Sequence, residues 1–251
     1  MVLNFSHIDR STLIGRAIRW PLSLIPEKTR LPIAQGPLTG YRWIVGSSNH
    51  GCWLGSYESE QQSLFKKWVK KGDIVFDIGA HVGFYTLLSS HLVGDKGRVV
   101  AFEPVPENLT YLKQHLRMNT IANVDILEVA VSNRQGHDRL SNGPSSSMWH
   151  FDAQGSLEVR TIRLDDVVLS EKLPPPSLIK MDIEGAEALA LQGCAGVIDT
   201  FHPVFILSTH GPDVHQRCCR ILKSAGYNLT PIGATSIDEC RELIAVHHGA
   251  H

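Results

Sequence analysis

The chain has no apolar run near the roughly 20 residues that a membrane span requires, and its N-terminus carries no apolar signal-peptide core. It has no surplus of basic charge either. Lys and Arg number 24 against 25 Asp and Glu, a formal charge of −1, so the electrostatic footprint of a nucleic-acid-binding domain is missing. The five cysteines (Cys52, Cys194, Cys218, Cys219 and Cys240) are odd in number and form no C-x-x-C pair. Neither a disulfide framework nor a zinc cluster is built that way, and the pattern suits a reducing cytoplasm. Cys218 and Cys219 fall in a predicted helix, PDVHQRCCRILKSAG, where partial burial is the expected state rather than reactivity. Internal repeats and low-complexity linkers are absent as well. What is present is ordinary for a globular protein: 251 residues, 43% hydrophobic and 20% charged, enough for one sizeable core with an extension.

From Gly72 onward, strand-like and helix-like segments alternate. IVFDIG (74–79), RVVAFEP (98–104), VDILEVAV (124–131), SLIKMDIEG (177–185) and VFILSTHG (204–211) read as strands. Between them, FYTLLSSHLV (84–93), PENLTYLKQHLRMNT (106–120), AEALALQG (186–193) and residues 212–225 read as helices, Pro106 opening the second and Gly193 closing the third. YNLTPIG and ELIAVHH are expected as final strands. Apolar strands alternating with helices predict an α/β fold: a Rossmann-like, doubly wound, mostly parallel sheet covered on both sides. Two regions depart from this rhythm. Residues 132–163 are polar and turn-rich and predict an inserted hairpin or loop over the sheet edge. Residues 1–71 predict an N-terminal extension that packs on the 72–251 domain and caps an acceptor site. In it STLIGRAIRWPLSLIP (11–26) starts as a short amphipathic helix, and 41–72 forms a small hairpin leading into a helix over 58–70. Pro21 limits the first helix to about three turns, too little apolar area for firm membrane anchoring, so packing on the domain is the expectation.

The stretch DIVFDIGAHVGFYT (73–86) places a carboxylate and two glycines at the end of the first strand. In an open parallel sheet, ligands bind beyond the carboxyl ends of the strands, where strand order reverses. Gly79 and Gly83 allow backbone geometries closed to other residues, and an acidic residue at the end of the second strand, Glu103, can accept both hydrogen bonds of a ribose diol. The turn is not G-x-G-x-x-G, the pattern that seats a pyrophosphate. Asp77, two residues before Gly79, would repel a pyrophosphate but attract the cationic amino group of a methionine moiety. Both facts predict S-adenosylmethionine rather than a nicotinamide cofactor. The expected cofactor-binding residues are Asp77, Gly79, Ala80, His81, Gly83, Glu103, Pro104, Asn108 and Ala130. Asn108 would reach the ribose or adenine edge from its helix start. Val129 and Ala130, at the end of the third strand, would leave a backbone amide and apolar walls for the adenine. Glu128 reads as a local ion-pair partner.

DIVFDIGAHVGFYT, VVAFEPVPENLTYLKQHLRMN and LIKMDIEGAEALALQG together resemble the FkbM family of S-adenosylmethionine-dependent methyltransferases, over roughly residues 50–211. The resemblance implies the class I methyltransferase fold and a methyl acceptor that is a small molecule or glycan. Most such enzymes methylate a hydroxyl of a sugar, glycolipid or secondary metabolite, and some relatives methylate nitrogen in modified peptides. Two positions depart from the family pattern: His81, where asparagine is common, and Ser208, where an acidic residue often precedes the histidine of STHG.

For the chemistry, an alcohol needs a positioned base as its proton leaves. Asp182 and His210, with Glu184 in support, are the expected catalytic residues. In an extended chain Asp182 and Glu184 would face opposite sides. A cation held by Asp182, Glu184 and His210 is the competing account, but the spacing fits no dedicated cage and no metal is expected. Lys180 should share the face of Asp182 and pair with it. Asp165 and Asp166 are expected to cap a turn, and Tyr57 and Glu58 to lie over the methyl-transfer site, against a plain reading as helix-start residues. N-methylation of a peptide and a non-catalytic, cofactor-binding regulator are the alternatives. The intact Asp77, Glu103, Asp182 and Glu184 weigh against the latter.

Overall fold

The computed structural model describes residues 20, 22, 24–143 and 149–249. The helix expected to start at residue 11 and stop before Pro21 therefore lies largely outside the described residues, as does the centre of the polar stretch at 144–148. The first elements are an antiparallel pair, β1 (Arg30–Pro32) and β2 (Arg42–Ile44), then helices α1 (His50–Leu54) and α2 (Ser59–Trp68). The expected alternation follows as β3 (Ile74–Ile78), α3 (Phe84–Val93), β4 (Arg98–Phe102), α4 (Pro106–Met118) and β5 (Val124–Leu127). Four short strands come next: β6 (Ala130–Val131), β7 (Gly136–Asn142), β8 (Trp149–Phe151) and β9 (Leu157–Ile162). The chain returns through α5 (Leu164–Val168) to β10 (Leu178–Met181), α6 (Glu187–Gln192), α7 (Ala195–Phe201) and β11 (Val204–Ser208). It finishes with α8 (Pro212–Ser224), β12 (Tyr227–Ile232) and β13 (Glu242–His247). Among the described residues no helix is long and apolar enough to cross a membrane.

The main sheet has the order β12-β13-β11-β10-β3-β4-β5. All neighbours are parallel except the two pairs made by β13. Period-two alternation sends Phe76, Ile78, Val100, Phe102, Ile179 and Met181 to one face, where they pack with α5 to α8, and Val75, Val99, Ala101 and Leu178 to the other, with α2 to α4. Both faces are dry, so the central strands read as continuous apolar runs. Strand order reverses between β3 and β10, so the switch point lies at the carboxyl ends of those two strands.

Three local expectations are corrected. The third strand does not run through 124–131. It stops at Leu127, and the chain turns at Glu128 and Val129, whose amide bonds back to the Leu127 carbonyl. Ala130 and Val131 then pair with β9 in a separate sheet. The inserted region is more than a hairpin: it is a four-stranded sheet of order β6-β9-β7-β8 with its own small core of Val105, Ala130, Leu140 and Val159. The N-terminal hairpin begins earlier than 41, pairing Arg30–Pro32 with Arg42–Ile44. The following GSSNHGCWLG becomes a helix instead, because the Asn49 side chain caps it and Gly55, at φ 76°, ends it.

This hairpin is tied to the sheet through a histidine that sequence patterning did not single out. His115 on α4 is fully buried and stacks on Trp43 with ring centroids 3.9 Å apart. Its Nε2 accepts the Ile44 amide at 3.1 Å, so its Nδ1 carries the hydrogen and donates to the Val82 carbonyl at 2.7 Å. Burial pushes this imidazole down to about 4. Truncation would orphan an amide and a carbonyl, so His115→Ala is expected to lower stability by about 2–4 kcal/mol in urea unfolding. The unfolded ring titrates near 6.5 and the folded one near 4, so between these values the unfolded chain binds the proton. The stabilisation is complete above pH 6.5 and fades as pH falls toward 4. The stability gap between wild type and His115→Gln should therefore narrow on acidification; a gap that stays constant would identify another titrating group.

Candidate active site

The carboxyl ends of β3, β4 and β10 meet around a cavity of about 960 Å³, counted out to its open mouth. One of its buried polar groups is Lys180. In the β3–β10 ladder Lys180 stands directly opposite Asp77, and its Nζ lies 3.9 Å from Asp77 Oδ1 and 3.5 Å from Asp182 Oδ2. The ammonium also sits over the Tyr85 ring, 5.2 Å from its centroid. Burial works against this charge, but Asp182, Asp77 and Glu58 together outweigh it and hold the Lys180 pKa above its ordinary value. Asp77 is fully buried, and burial raises its pKa against the pull of Lys180 and of the Thr86 hydroxyl, which donates to Oδ2 at 2.6 Å.

The turn after β3 is shaped by its glycines. Gly79 has φ 80°, and a Cβ there would lie 2.0 Å from the Asp182 carbonyl, so only glycine lets the two loops touch. His81 adopts φ 49°, an uncommon conformation for a residue with a side chain. It is held by its amide, which donates to Glu103 Oε2 at 2.7 Å. Glu103 Oε1 accepts the Val105 amide at 2.9 Å and Asn108 Nδ2 at 3.1 Å. Three donors leave a carboxylate with acceptor capacity to spare. Burial raises the Glu103 pKa, opposed by those same hydrogen bonds. The His81 imidazole, pushed down to about 4 by burial, has an Nε2 with no protein partner.

β10 ends at Met181, and the chain then turns instead of staying extended. Glu184 has φ 51° and Gly185 φ 102°. The expectation that Asp182 and Glu184 face opposite sides is thereby overturned: both carboxylates reach His210 Nε2, at 3.7 and 3.5 Å. One ligand atom from each of these three residues falls within a sphere where all lie within 4.8 Å of one another. Glu187, which carried no signal beyond a helix-start carboxylate, completes the group from α6. It is fully buried, and its Oε1 lies 2.8 Å from His210 Nδ1. Chiefly through that bond, and against burial, the His210 imidazole is held up to about 8, with Asp182, Glu187 and Glu184 adding to the effect. Burial raises the Glu184 pKa.

Of the residues expected at the site, Gly79, Ala80, His81, Glu103, Pro104, Asn108 and Ala130 line the cavity, as do Asp182, Glu184 and Tyr57. Asp77 and Gly83 stand behind the wall: the first partners Lys180 and Thr86, the second starts α3 at φ 96°. His210 touches the cavity through Asp182 and Glu184. Glu58 accepts the Tyr85 hydroxyl at 2.7 Å. Asp165, expected to cap a turn, lies inside α5 and accepts the Val197 amide in the first turn of α7 at 3.0 Å, and Glu128 pairs with Lys113. The inserted sheet contributes Leu140, Trp149 and Phe151 to the wall, residues whose short strands gave no sequence signal. Cys52 also lines the cavity, buried, with its thiol pushed up to about 12 by burial.

A family model described as the methyltransferase FkbM domain matches residues 77–229. The chain is 25% identical over 158 residues to hexuronic acid methyltransferase AglP of Haloferax volcanii, covering 62% of this chain and 64% of that protein. It is 26% identical over 160 residues to 31-O-demethyl-FK506 methyltransferase FkbM of Streptomyces tacrolimicus, covering 50% of this chain and 60% of that one. It thus spans less than two thirds of the length of either relative. The fold is similar to that of a crystallised methyltransferase FkbM from Methylobacillus flagellatus KT, with a TM-score of 0.52 at 18% identity over 79% of this chain and 53% of that one.

The Lys180 cluster makes its own prediction. Lys180→Met strands Asp77 in a dry interior and should cost about 3–5 kcal/mol. Adding Asp77→Asn should recover a good part of that loss in denaturant titrations. If the double variant is as unstable as the sum of the single ones, the two charges do not act as a pair.

Proposed function

The chain belongs to the FkbM methyltransferase domain family, and on that premise we propose that it transfers the methyl group of S-adenosylmethionine to a hydroxyl of a sugar, glycolipid or secondary metabolite. The observation that carries this reading is the convergence of Asp182, Glu184 and His210 at the ends of adjacent strands, beside the cavity at the switch point.

The cavity fits this cofactor. Its wall carries three carboxylates, Glu103, Asp182 and Glu184, against one ammonium, Lys180, a balance suited to a ligand with a cationic sulfonium and a cationic amino group. When bound, S-adenosylmethionine supplies an electrophilic methyl group already activated by its positive sulfur. Glu103 would accept one hydroxyl of the ribose diol at its remaining acceptor site, and Asn108 orients that carboxylate. Val129 and Ala130, which line the cavity, would provide apolar walls for the adenine, and Gly79, Ala80 and His81, which line it too, would hold the rest of the molecule. Tyr57, which lines the cavity, would border the acceptor, and Glu58 holds the Tyr85 hydroxyl beside it. Positioning of this kind is worth roughly 7–11 kcal/mol of barrier. The remaining task is the acceptor's proton, which neutral His210 receives at Nε2, steadied by Asp182 and Glu184. The two carboxylates stabilise the imidazolium that forms.

Three outcomes test this. Glu103→Ala should weaken S-adenosylhomocysteine binding by about 30- to 1000-fold in calorimetry, and unchanged affinity would remove Glu103 from the site. His210→Ala should lower turnover of a hydroxyl acceptor by about 10²–10⁴-fold while cofactor affinity persists. Because His210 is held up to about 8, it is charged and unable to accept a proton below that value, so turnover should rise with pH and level off above about 8. Loss of activity on chelation, restored by magnesium or manganese, would instead assign the cluster to a cation.

A further inference from the structure

We propose that Glu187 is the positioning residue of His210: it receives the Nδ1 hydrogen and so aims Nε2 at Asp182, Glu184 and the acceptor. The inference rests on His210 being the proton acceptor. The hydrogen-bond directions determine which nitrogen is protonated. Glu187 Oε1 already accepts the Ile183 amide at 3.2 Å and the Gly185 amide at 3.1 Å. An oxygen taking two amide hydrogens acts as an acceptor, so at 2.8 Å the third partner, His210 Nδ1, must donate. Neutral His210 is then the tautomer with its lone pair on Nε2, the atom that faces Asp182 and Glu184 at 3.7 and 3.5 Å. Without the Nδ1 bond a ring flip would bring the wrong atom to the acceptor.

Burial makes the arrangement consequential. Glu187 is wholly inaccessible and its Oε2 has no partner, whereas the His210 side chain retains 35% of its accessible surface. A hidden carboxylate thus steers a ring that can still reach a ligand. The same oxygen fastens the loop that carries Asp182 and Glu184, so one group sets both the base and its steadying carboxylates. The titratable groups facing this pair are Asp182 and Glu184 from the loop after β10, and Cys218 from α8, whose thiol is pushed up to about 12, first by burial and then by Glu187. Lys180 offsets Asp182 from the far side.

Glu187→Gln keeps the shape and an oxygen for the two amides while removing the charge. Histidine-resolved NMR titration of the full chain should show the His210 transition moving down by about one pH unit or more, and turnover should fall about 10- to 10³-fold with S-adenosylhomocysteine affinity within threefold. The acid limb of the pH profile should move down with the NMR transition. Glu187→Asp, which keeps the charge but withdraws the oxygen, should restore part of the titration shift. In a His210→Ala background, Glu187→Gln should change turnover by less than about twofold. An unmoved His210 titration, or an equal fold-loss with and without His210, would overturn the proposal and leave Glu187 as a loop fastener. If His210→Ala alone turns over normally, the catalytic half of the proposal falls with the base assignment, and the NMR shift still reports separately whether Glu187 sets the ring.

Discussion

The ammonium of Lys180, sealed between two strands at the switch point, is the constraint from which the site follows. A charge this deep is tolerable only with opposite charge around it. The parallel register supplies Asp77 directly across, and the loop after β10 supplies Asp182. Asp182 is thereby fixed in direction, and its main chain closes on Gly79, where no side chain would fit. The cofactor turn and the loop carrying the carboxylates are locked together by one cation and one missing Cβ. Asp77, expected from sequence to attract the cofactor's amino group, is paired in the structure with the lysine and the Thr86 hydroxyl. Its influence on the cavity is relayed through Lys180.

A second set of strained or buried groups surrounds this centre. Glu58, His81 and Glu184 all hold left-handed backbone conformations without being glycine. Each is compensated: Glu58 by the Tyr85 hydroxyl, His81 by Glu103, and Glu184 by its approach to His210. Such conformations persist where surrounding contacts over-determine them, and they gather at sites that bind or react. His115 extends the network outward, connecting the N-terminal hairpin to the Val82 carbonyl just beyond His81.

How much of this was legible beforehand depended on whether a segment was buried on both faces. IVFDI, RVVAF, LIKM and VFILS have apolar residues on both sides, and the helices between them carry clear breaks, so the doubly wound sheet could be read directly. The inserted sheet could not. GHDRLSN and WHF bury few residues, and their core is four side chains wide, so alternation never rises above a polar loop. At the site, residue identities were readable but directions were not. Asp182 and Glu184 looked opposed because the strand was assumed to continue; it ends at Met181, and Glu184 turns left-handed. Glu187 was hidden because a carboxylate in the first turn of a helix already has an ordinary explanation. Only the fold shows that His210, 23 positions on, comes within 2.8 Å of it.

The last strand among the described residues does not lie at the edge of the sheet. β13 inserts between β11 and β12, antiparallel to both. During synthesis the outer rim of β11 therefore offers unpaired amides and carbonyls while more than thirty further residues emerge (from Ser208 to Glu242 in the pairing register). An open rim of that kind invites pairing with another nascent copy. β12 has no neighbour of its own until the strand after it arrives, so its hydrogen bonds and those of the β11 rim are satisfied together, late and in one step. The open interval thus runs from the emergence of β11, with His210 just beyond its end, to the arrival of β13.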